Sequence, residues 1–360
     1  MEPSTLLQIK SVDYYKKGEL IVSNPEYNER LVDIGVNASY RRENIVQIVF
    51  PSIGCQHRPH CVMCNYGYEI ENCDKPTAIE IVKRLFEKLV PKGFAHTGAN
   101  VLLLNTYGSI CDPMEMKPDV LRTVLDYISN YNEWTDMPGQ IKELILETGY
   151  DTIFDTAWQF GYDSGIRTAF EMGFETLDDN LRSQVLHKTL IRDKFLESVE
   201  IIHKMDDLAI ANVLLGVPYL TPQEQIEECL KSIMWLIDNC VDHVVVFPIN
   251  VKPRTELFRL YNNGLYQRVS HQQIINLLNK IPDAYLPKVT LSWYGDRQYY
   301  RREDIGKMNI CGLPPDGDPR YIKDYMGYYR VFNQTSNLIE KRTAINNLAL
   351  IVLEDKRKEE

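Results

Sequence analysis

Apolar positions along this chain follow two alternating patterns. Short, nearly continuous apolar runs occur at Ile45–Phe50 (IVQIVF), Val101–Leu104 (VLLL), Glu143–Thr148 (ELILET), Ala209–Leu215 (AIANVLL) and His243–Phe247 (HVVVF), with a weaker run at Arg167–Glu171 (RTAFE). Such runs predict strands buried on both faces. Between them, apolar residues recur every three to four positions at Ala78–Val90, Pro118–Tyr131 and Leu190–Met205, which predicts helices. Thr221-Pro222-Gln223-Glu224 carries a capping-box signature and opens a helix expected over Pro222–Asn239. Ser270 and Gln273 open another by the same logic, and Asn337–Glu354 reads as a C-terminal helix. About six strand–helix units in alternation predict an α/β fold with a parallel sheet covered by helices. Right-handed crossovers curl such a sheet towards an open or closed barrel. Chemistry in that architecture belongs on the loops after the strands' C-terminal ends.

The chain has 360 residues, room for one large domain or two smaller ones, and its 44% hydrophobic and 25% charged composition is that of a globular protein. Met1-Glu2-Pro3-Ser4 has no basic, then apolar, leader pattern, and no apolar run is long enough to cross a bilayer. These features predict a cytoplasmic protein with no membrane partner. The net charge of −10 argues against a protein that grips nucleic acid unaided, although Arg297, Arg301 and Arg302 lie close together.

Cysteine usage changes the picture most. Eight cysteines in such a chain do not suggest a disulfide framework. Three cluster as Gly54-Cys55-Gln56-His57-Arg58-Pro59-His60-Cys61-Val62-Met63-Cys64, on the loop that follows the first predicted strand. Three thiolates so placed can converge on one soft metal centre. A cubane iron–sulfur cluster takes four protein thiolates as a rule, so three leave one iron open. The rival reading is a zinc knuckle, with His57, His60 or Cys73 as fourth ligand, in a non-catalytic binding protein. Against zinc stand the single C-x2-C pair and the large α/β setting. A third reading is an electron-transfer or sensor protein that never uses S-adenosylmethionine (SAM). Cys229 and Cys240 fall on or near a helix and read as structural thiols. Cys111 follows the second strand and is expected to face the barrel mouth, where a thiol can donate a hydrogen atom. Cys311 lies in the C-terminal part.

The strand and three-cysteine loop resemble the radical SAM superfamily, although C-x5-C-x2-C departs from its usual C-x3-C-x2-C. Further segments resemble the elongator-subunit-like branch that includes the radical subunit of archaeosine synthase. Asn105-Thr106-Tyr107-Gly108-Ser109-Ile110-Cys111-Asp112-Pro113 is similar to its TSGSFLDP stretch, and Leu146-Glu147-Thr148 to its vES. Met172-Gly173-Phe174-Glu175-Thr176, with Arg182 and Lys188, is similar to its GLEt…vR…nK. Leu215-Gly216-Val217-Pro218 and Pro248-Ile249-Asn250-Val251 fall where its fifth and sixth strands end. The resemblance runs in order over roughly residues 40–285.

What the resemblance implies is a partial (β/α)6 barrel at 41–285, an N-terminal extension at 1–40 and a C-terminal extension at 286–360. Cys55, Cys61 and Cys64 would ligate a [4Fe–4S] cluster whose open iron binds SAM. Met63 would pack near the adenine. Tyr107, Gly108 and Ser109 would replace the stretch whose backbone meets the methionyl amino group. Glu147 and Glu175 would hold ribose hydroxyls or that amino group, with Glu147 also a candidate catalytic residue beside Cys111. Arg182 would pair with the SAM carboxylate. The enzyme would start from reductive SAM cleavage to a 5′-deoxyadenosyl radical, fed by a reductase of flavodoxin or ferredoxin type. It would act on a small metabolite, nucleoside or peptide. The alternative is carbon–nitrogen cleavage on a lysine-modified guanine in tRNA delivered by a partner subunit. Trp293, Tyr294, Tyr299, Tyr300, Tyr321, Tyr325, Tyr328 and Tyr329 crowd Leu286–Tyr329, which is expected to form a lid that keeps water from a radical.

Overall fold

The computed structural model describes residues 32–33, 39–40, 43–50, 54–57, 61–64, 101–106, 108–131, 141–153, 166–252, 254–292 and 322–357. The helix expected at Ala78–Val90 lies outside them. So do Tyr107, His60, Cys73, Cys311, Trp293, Tyr294, Tyr299, Tyr300, Tyr321 and the three clustered arginines.

Strand β1 is Val32–Asp33, β2 Ser39–Tyr40, β3 Glu43–Phe50, β4 Val101–Thr106, β5 Glu143–Thr148, β6 Arg167–Glu175, β7 Leu208–Leu215, β8 His243–Pro248 and β9 Val289–Leu291. The strands β3 to β8 pair in chain order, each parallel to the next, and short β9 continues the series beside β8. Both β1 and β2 pair antiparallel with β3. The described helices are α1 (Pro118–Tyr131), α2 (Arg192–Lys204), α3 (Pro222–Asp238), α4 (Glu256–Asn262), α5 (His271–Lys280), α6 (Ile322–Gln334) and α7 (Leu338–Arg357). Both expected capping boxes form. Thr221 Oγ1 accepts from the Glu224 amide at 3.3 Å while the Glu224 carboxylate accepts from the Thr221 amide at 2.8 Å. Ser270 and Gln273 do the same at the start of α5, and each box contributes about 1 kcal/mol to starting its helix.

The sheet has two distinct faces. Leu102, Leu144, Phe170, Ala209 and Val244 join residues of the helices, such as Val120, Phe195 and Ile233, in the main hydrophobic layer. The alternate residues Leu103, Ile145, Ala169, Ile210 and Val245 form a second cluster without any helix residue. They are fully buried all the same. With no helix over them among the described residues, what covers them is the sheet itself, curled into a partial barrel.

The sheet runs past residue 285, because β9 is one of its strands. In α6, Tyr325, Tyr329 and Phe332 are buried in the main hydrophobic layer, while 293–321 of the expected lid lie outside the described residues. Lys341 in α7 donates to the carbonyls of Val289 (2.7 Å) and Phe332 (2.9 Å), tying α7 to β9 and α6.

His271, at the start of α5, is the joint between barrel and C-terminal helices. Its ring stacks on Tyr325 with centroids 4.0 Å apart, and its Nδ1 lies 2.9 Å from the Tyr329 hydroxyl. Burial holds its pKa down at about 3. The unfolded chain protonates this histidine near pH 6.5, so between those values the unfolded state binds more protons and stability falls as pH falls. Urea unfolding of the protein at pH 7 and pH 5 is expected to show an acid loss that His271→Gln reduces by about 1–2 kcal/mol. Equal pH slopes for the two proteins would show that His271 protonates without disturbing this joint.

Candidate active site

The three-cysteine loop leaves the C-terminal end of β3. Gly54 has a φ of 84°, a left-handed conformation that turns the chain into Cys55 without the strain a side chain would bring. The second half of the loop is pinned through Val62. Its amide donates to the Leu186 carbonyl (3.3 Å) and its carbonyl accepts from the Leu257 amide of α4 (3.0 Å). Val62 and Met63 pack into a cluster with Leu186, Val217, Ile249 and Leu257 at the barrel's rim. A turn closed by the Cys64 amide on the Cys61 carbonyl (3.3 Å) brings the last two cysteines round.

The first half is held by a residue whose role the sequence did not disclose. Glu115, 5% exposed, accepts from the Gln56 amide at 2.8 Å with one carboxylate oxygen and from the Ser109 amide with the other. It thereby joins the cysteine loop to the loop after β4. Gly108 makes room for it: a Cβ there would lie 1.8 Å from Glu115 Oε2 and 3.0 Å from Cys55 Cα. Next to it, the Ser109 hydroxyl lies 2.7 Å from Thr148 Oγ1 and 2.9 Å from Thr152 Oγ1, and accepts from the Gly149 amide at 2.9 Å.

Cys55, Cys61 and Cys64 are all partly buried and free of disulfides. Burial pushes the Cys55 thiol up to about 11, helped by the Glu115 charge and by Cys64. Burial pushes Cys61 up to about 12, and Cys64, Glu175 and Cys55 add to it while Lys188 opposes it. Each thiol therefore lies within the electrostatic reach of the others and of one lysine. Among the described residues, no group of three or more His, Cys, Asp or Glu side chains is gathered closely enough to hold a metal ion. His57 is exposed.

The cation beside the cysteines is Lys188. It forms an ion pair with Glu175 at the end of β6, where the backbone takes a φ of 70°. Gly173 is bare at this point, since a Cβ there would stand 2.7 Å from Glu175 Oε1 and 3.0 Å from Lys188 Nζ. Burial alone would lower the lysine's pKa, but Glu175, Cys61 and Cys64 outweigh it and hold the ammonium above the ordinary lysine range. Deeper in the mouth, Glu147 accepts from the Asn105 amide at 2.8 Å. Burial raises its pKa against the pull of Asn105, Lys252 and Lys188.

Two expected site residues are placed elsewhere. Arg182, 1% exposed, spends its guanidinium locally. It donates to the carbonyls of Thr176 (2.6 Å) and Leu190 (3.3 Å), pairs with Asp179 (2.6 Å) and lies over the Phe174 ring. It braces the turn that presents Lys188, whose amide bonds to the Arg182 carbonyl at 2.9 Å. Cys111 does not face the mouth. It is buried in the hydrophobic layer between sheet and helices, with its pKa raised to about 12 by burial, eased by a hydrogen bond from Thr148. A thiol sealed there is out of reach of a substrate in the barrel, so the hydrogen-donor role does not fit it. Gly108 lies close to Cys55, Met63 packs in the rim cluster, and Glu175 acts electrostatically on Cys61.

No family model matches the chain, and no curated protein matches it. Among solved structures it bears a distant resemblance to several radical SAM enzymes. The archaeal Methanocaldococcus infernus Elp3 with an N-terminal deletion superposes with a TM-score of 0.47 at 14% identity, over 70% of this chain and 58% of that one. The radical SAM methyltransferase TsrM from Kitasatospora setae gives 0.48 at 11% identity, over 87% and 62%. Coproporphyrinogen III oxidase (HemN) from Escherichia coli, itself a radical SAM enzyme, gives 0.43 at 14%, over 69% and 53%. The chain thus spans little more than half the length of these proteins. No helix among the described residues is long and apolar enough to cross a membrane.

Proposed function

We propose that this protein is a radical SAM enzyme, with Cys55, Cys61 and Cys64 holding a [4Fe–4S] cluster at the barrel mouth. The observation that carries the reading is the setting of the three thiols. They leave one strand's C-terminal end, lie within each other's electrostatic reach, and share a lysine above a polar barrel interior. The donor types suit the group, three soft thiols with no fourth cysteine among the described residues of the loop, although they are not gathered closely enough here to hold a metal; burial raises the Cys55 and Cys61 pKa values, which bound iron would bring down. A cluster of this kind, with SAM on its open iron, supplies the electron that cleaves SAM and starts hydrogen abstraction from a substrate carbon.

The chain's own residues have separate tasks in this reading. Gly54, Val62 and Glu115 fix the loop that carries the thiolates. Lys188, not Arg182, is the cation placed for a carboxylate such as that of SAM, and Glu175 orients it. Met63 adds an apolar wall. Glu147 and Glu175 are the carboxylates available to hydroxyl or amino groups, and Gly108 and Ser109 line the same edge. Phe247 and the inner apolar residues keep bulk water from the barrel's depth. The substrate is a small metabolite, nucleoside or peptide that enters this mouth, and electrons come from a flavodoxin- or ferredoxin-type reductase.

The test is anaerobic. Protein purified and reconstituted without oxygen is expected to hold about four irons and, with dithionite and SAM, to release 5′-deoxyadenosine. Zinc in place of iron, or iron without any deoxyadenosine, would overturn the proposal.

A further inference from the structure

Four neighbouring strands change from apolar to polar along their inward-facing side. Leu103 of β4, Ile145 of β5, Ala169 of β6 and Ile210 of β7 form an apolar floor, all of it buried. Two residues further along each strand, one inward-facing step or about 6.6 Å higher, stand Asn105, Glu147, Glu171 and Asn212. The parallel register sets Glu147 opposite Glu171 and Glu171 opposite Ile210, so Asn212, opposite Gly173, stands one inward-facing step further towards the mouth. Asn105 is 4% exposed, Glu171 1% and Asn212 8%.

The tier is built of acceptors. The Asn105 side-chain NH2 already donates to Glu147, which leaves that asparagine's oxygen as an acceptor. Asn105 Oδ1 and Asn212 Oδ1 are buried with no hydrogen-bond partner among the described residues. An orphaned buried acceptor costs about 1–3 kcal/mol, so each of the two favours a donor that would meet it. An apolar side chain would pack onto the floor at no such cost. Carboxylates beside the two amides make the tier attractive to positive charge as well as to N–H donors.

Resting on the reading that a substrate enters this mouth, we infer that the tier formed by Asn105, Glu147, Glu171 and Asn212 binds the protonated amino group of that substrate. An ammonium supplies N–H donors and no acceptor, which complements amide and carboxylate oxygens. The apolar floor stops it and sets its depth, while Lys188 and Lys252 offset part of the charge of Glu147. The inference thus assigns an amine-bearing substrate class to the site.

The probe is 4,4,4-trifluorobutylammonium, titrated by fluorine NMR into the protein as purified without oxygen, with 4,4,4-trifluorobutanol as the neutral control. The ammonium is expected to broaden and shift while the alcohol does not, and Asn212→Leu or Glu171→Gln is expected to weaken the binding about tenfold or more. Asn212→Leu is also expected to raise the melting temperature, since it removes an unpartnered acceptor. Equal binding of alcohol and ammonium would overturn the inference, as would binding indifferent to both variants. A fall in melting temperature would do so too, because the amide would then be satisfied by ordered water as part of the fold. Iron content is measured on the same sample, so failure of the cluster reading is seen separately from failure of this one.

Discussion

Protein in which Cys55, Cys61 or Cys64 is changed to alanine is expected to lose its iron, while Cys111→Ala and Cys229→Ala keep it. The two groups differ in surroundings and not in residue type. Burial raises Cys111 and Cys229 as it raises Cys55 and Cys61, but the first two are sealed in the hydrophobic layer and no cation among the described residues acts on them. The three loop cysteines are partly exposed at the mouth and feel Lys188. Thiolate, not thiol, is the metal ligand, so only the second group has the access and the charge environment for it. With two thiolates left, a cubane has too few protein ligands to persist. Iron and acid-labile sulfide in anaerobically reconstituted variants are expected to fall several-fold or more for each loop cysteine. A small loss from the Cys111 variant would instead reflect the cavity left in the core, and its melting temperature would report that. Retention of full iron by all three loop variants would remove the basis of the proposed function.

Much of the barrel was legible because its strands are buried on both faces. The runs at Val101–Leu104, Glu143–Thr148 and Ala209–Leu215 have no polar alternation to confuse them, and the strands extend them by at most two residues. The helix at Pro118–Tyr131 matches its periodicity from end to end, and both capping boxes form where the residues announce them. Short elements escaped. The three residues of β9 carry no period, and α4 is under two full helical turns beyond its Thr255 cap. Arg182 and Lys188 look alike as surface charges in the sequence. Only the turn between them sends one guanidinium back onto Thr176 and Asp179 and the other cation to Glu175. For Cys111 a single turn decided the matter, placing the thiol on the helix side of the sheet instead of at the mouth. The acceptor tier is invisible in the sequence because its members lie far apart and come onto adjacent strands only in the fold.

Glu115→Ala is expected to cost the protein most of its ability to retain iron while leaving the barrel folded. In the sequence this residue is one acid in a loop that reads Asp112-Pro113-Met114-Glu115. In the fold its carboxylate links the amides of Gln56 and Ser109, from loops after two different strands. Hydrogen bonds from amides to a charged acceptor contribute about 1.5–3 kcal/mol each. Alanine would leave both partly buried amides without that acceptor and would open a space under Gly108. The damage is local, because Glu115 contributes to no strand pairing, and the hydrophobic layer nearby is anchored by Ile110, Met116 and Val120. Melting temperature is therefore expected to fall modestly, whereas the rate of iron loss to an added chelator rises about tenfold or more. Glu115→Gln is the discriminating variant. Its carbonyl can still accept from one amide, but its NH2 meets the other amide donor to donor, so iron retention is expected to lie between those of the parent and the alanine variant. Chelation at the parent's rate in both variants would mean that the cysteine loop holds its shape through Gly54 and Val62 alone.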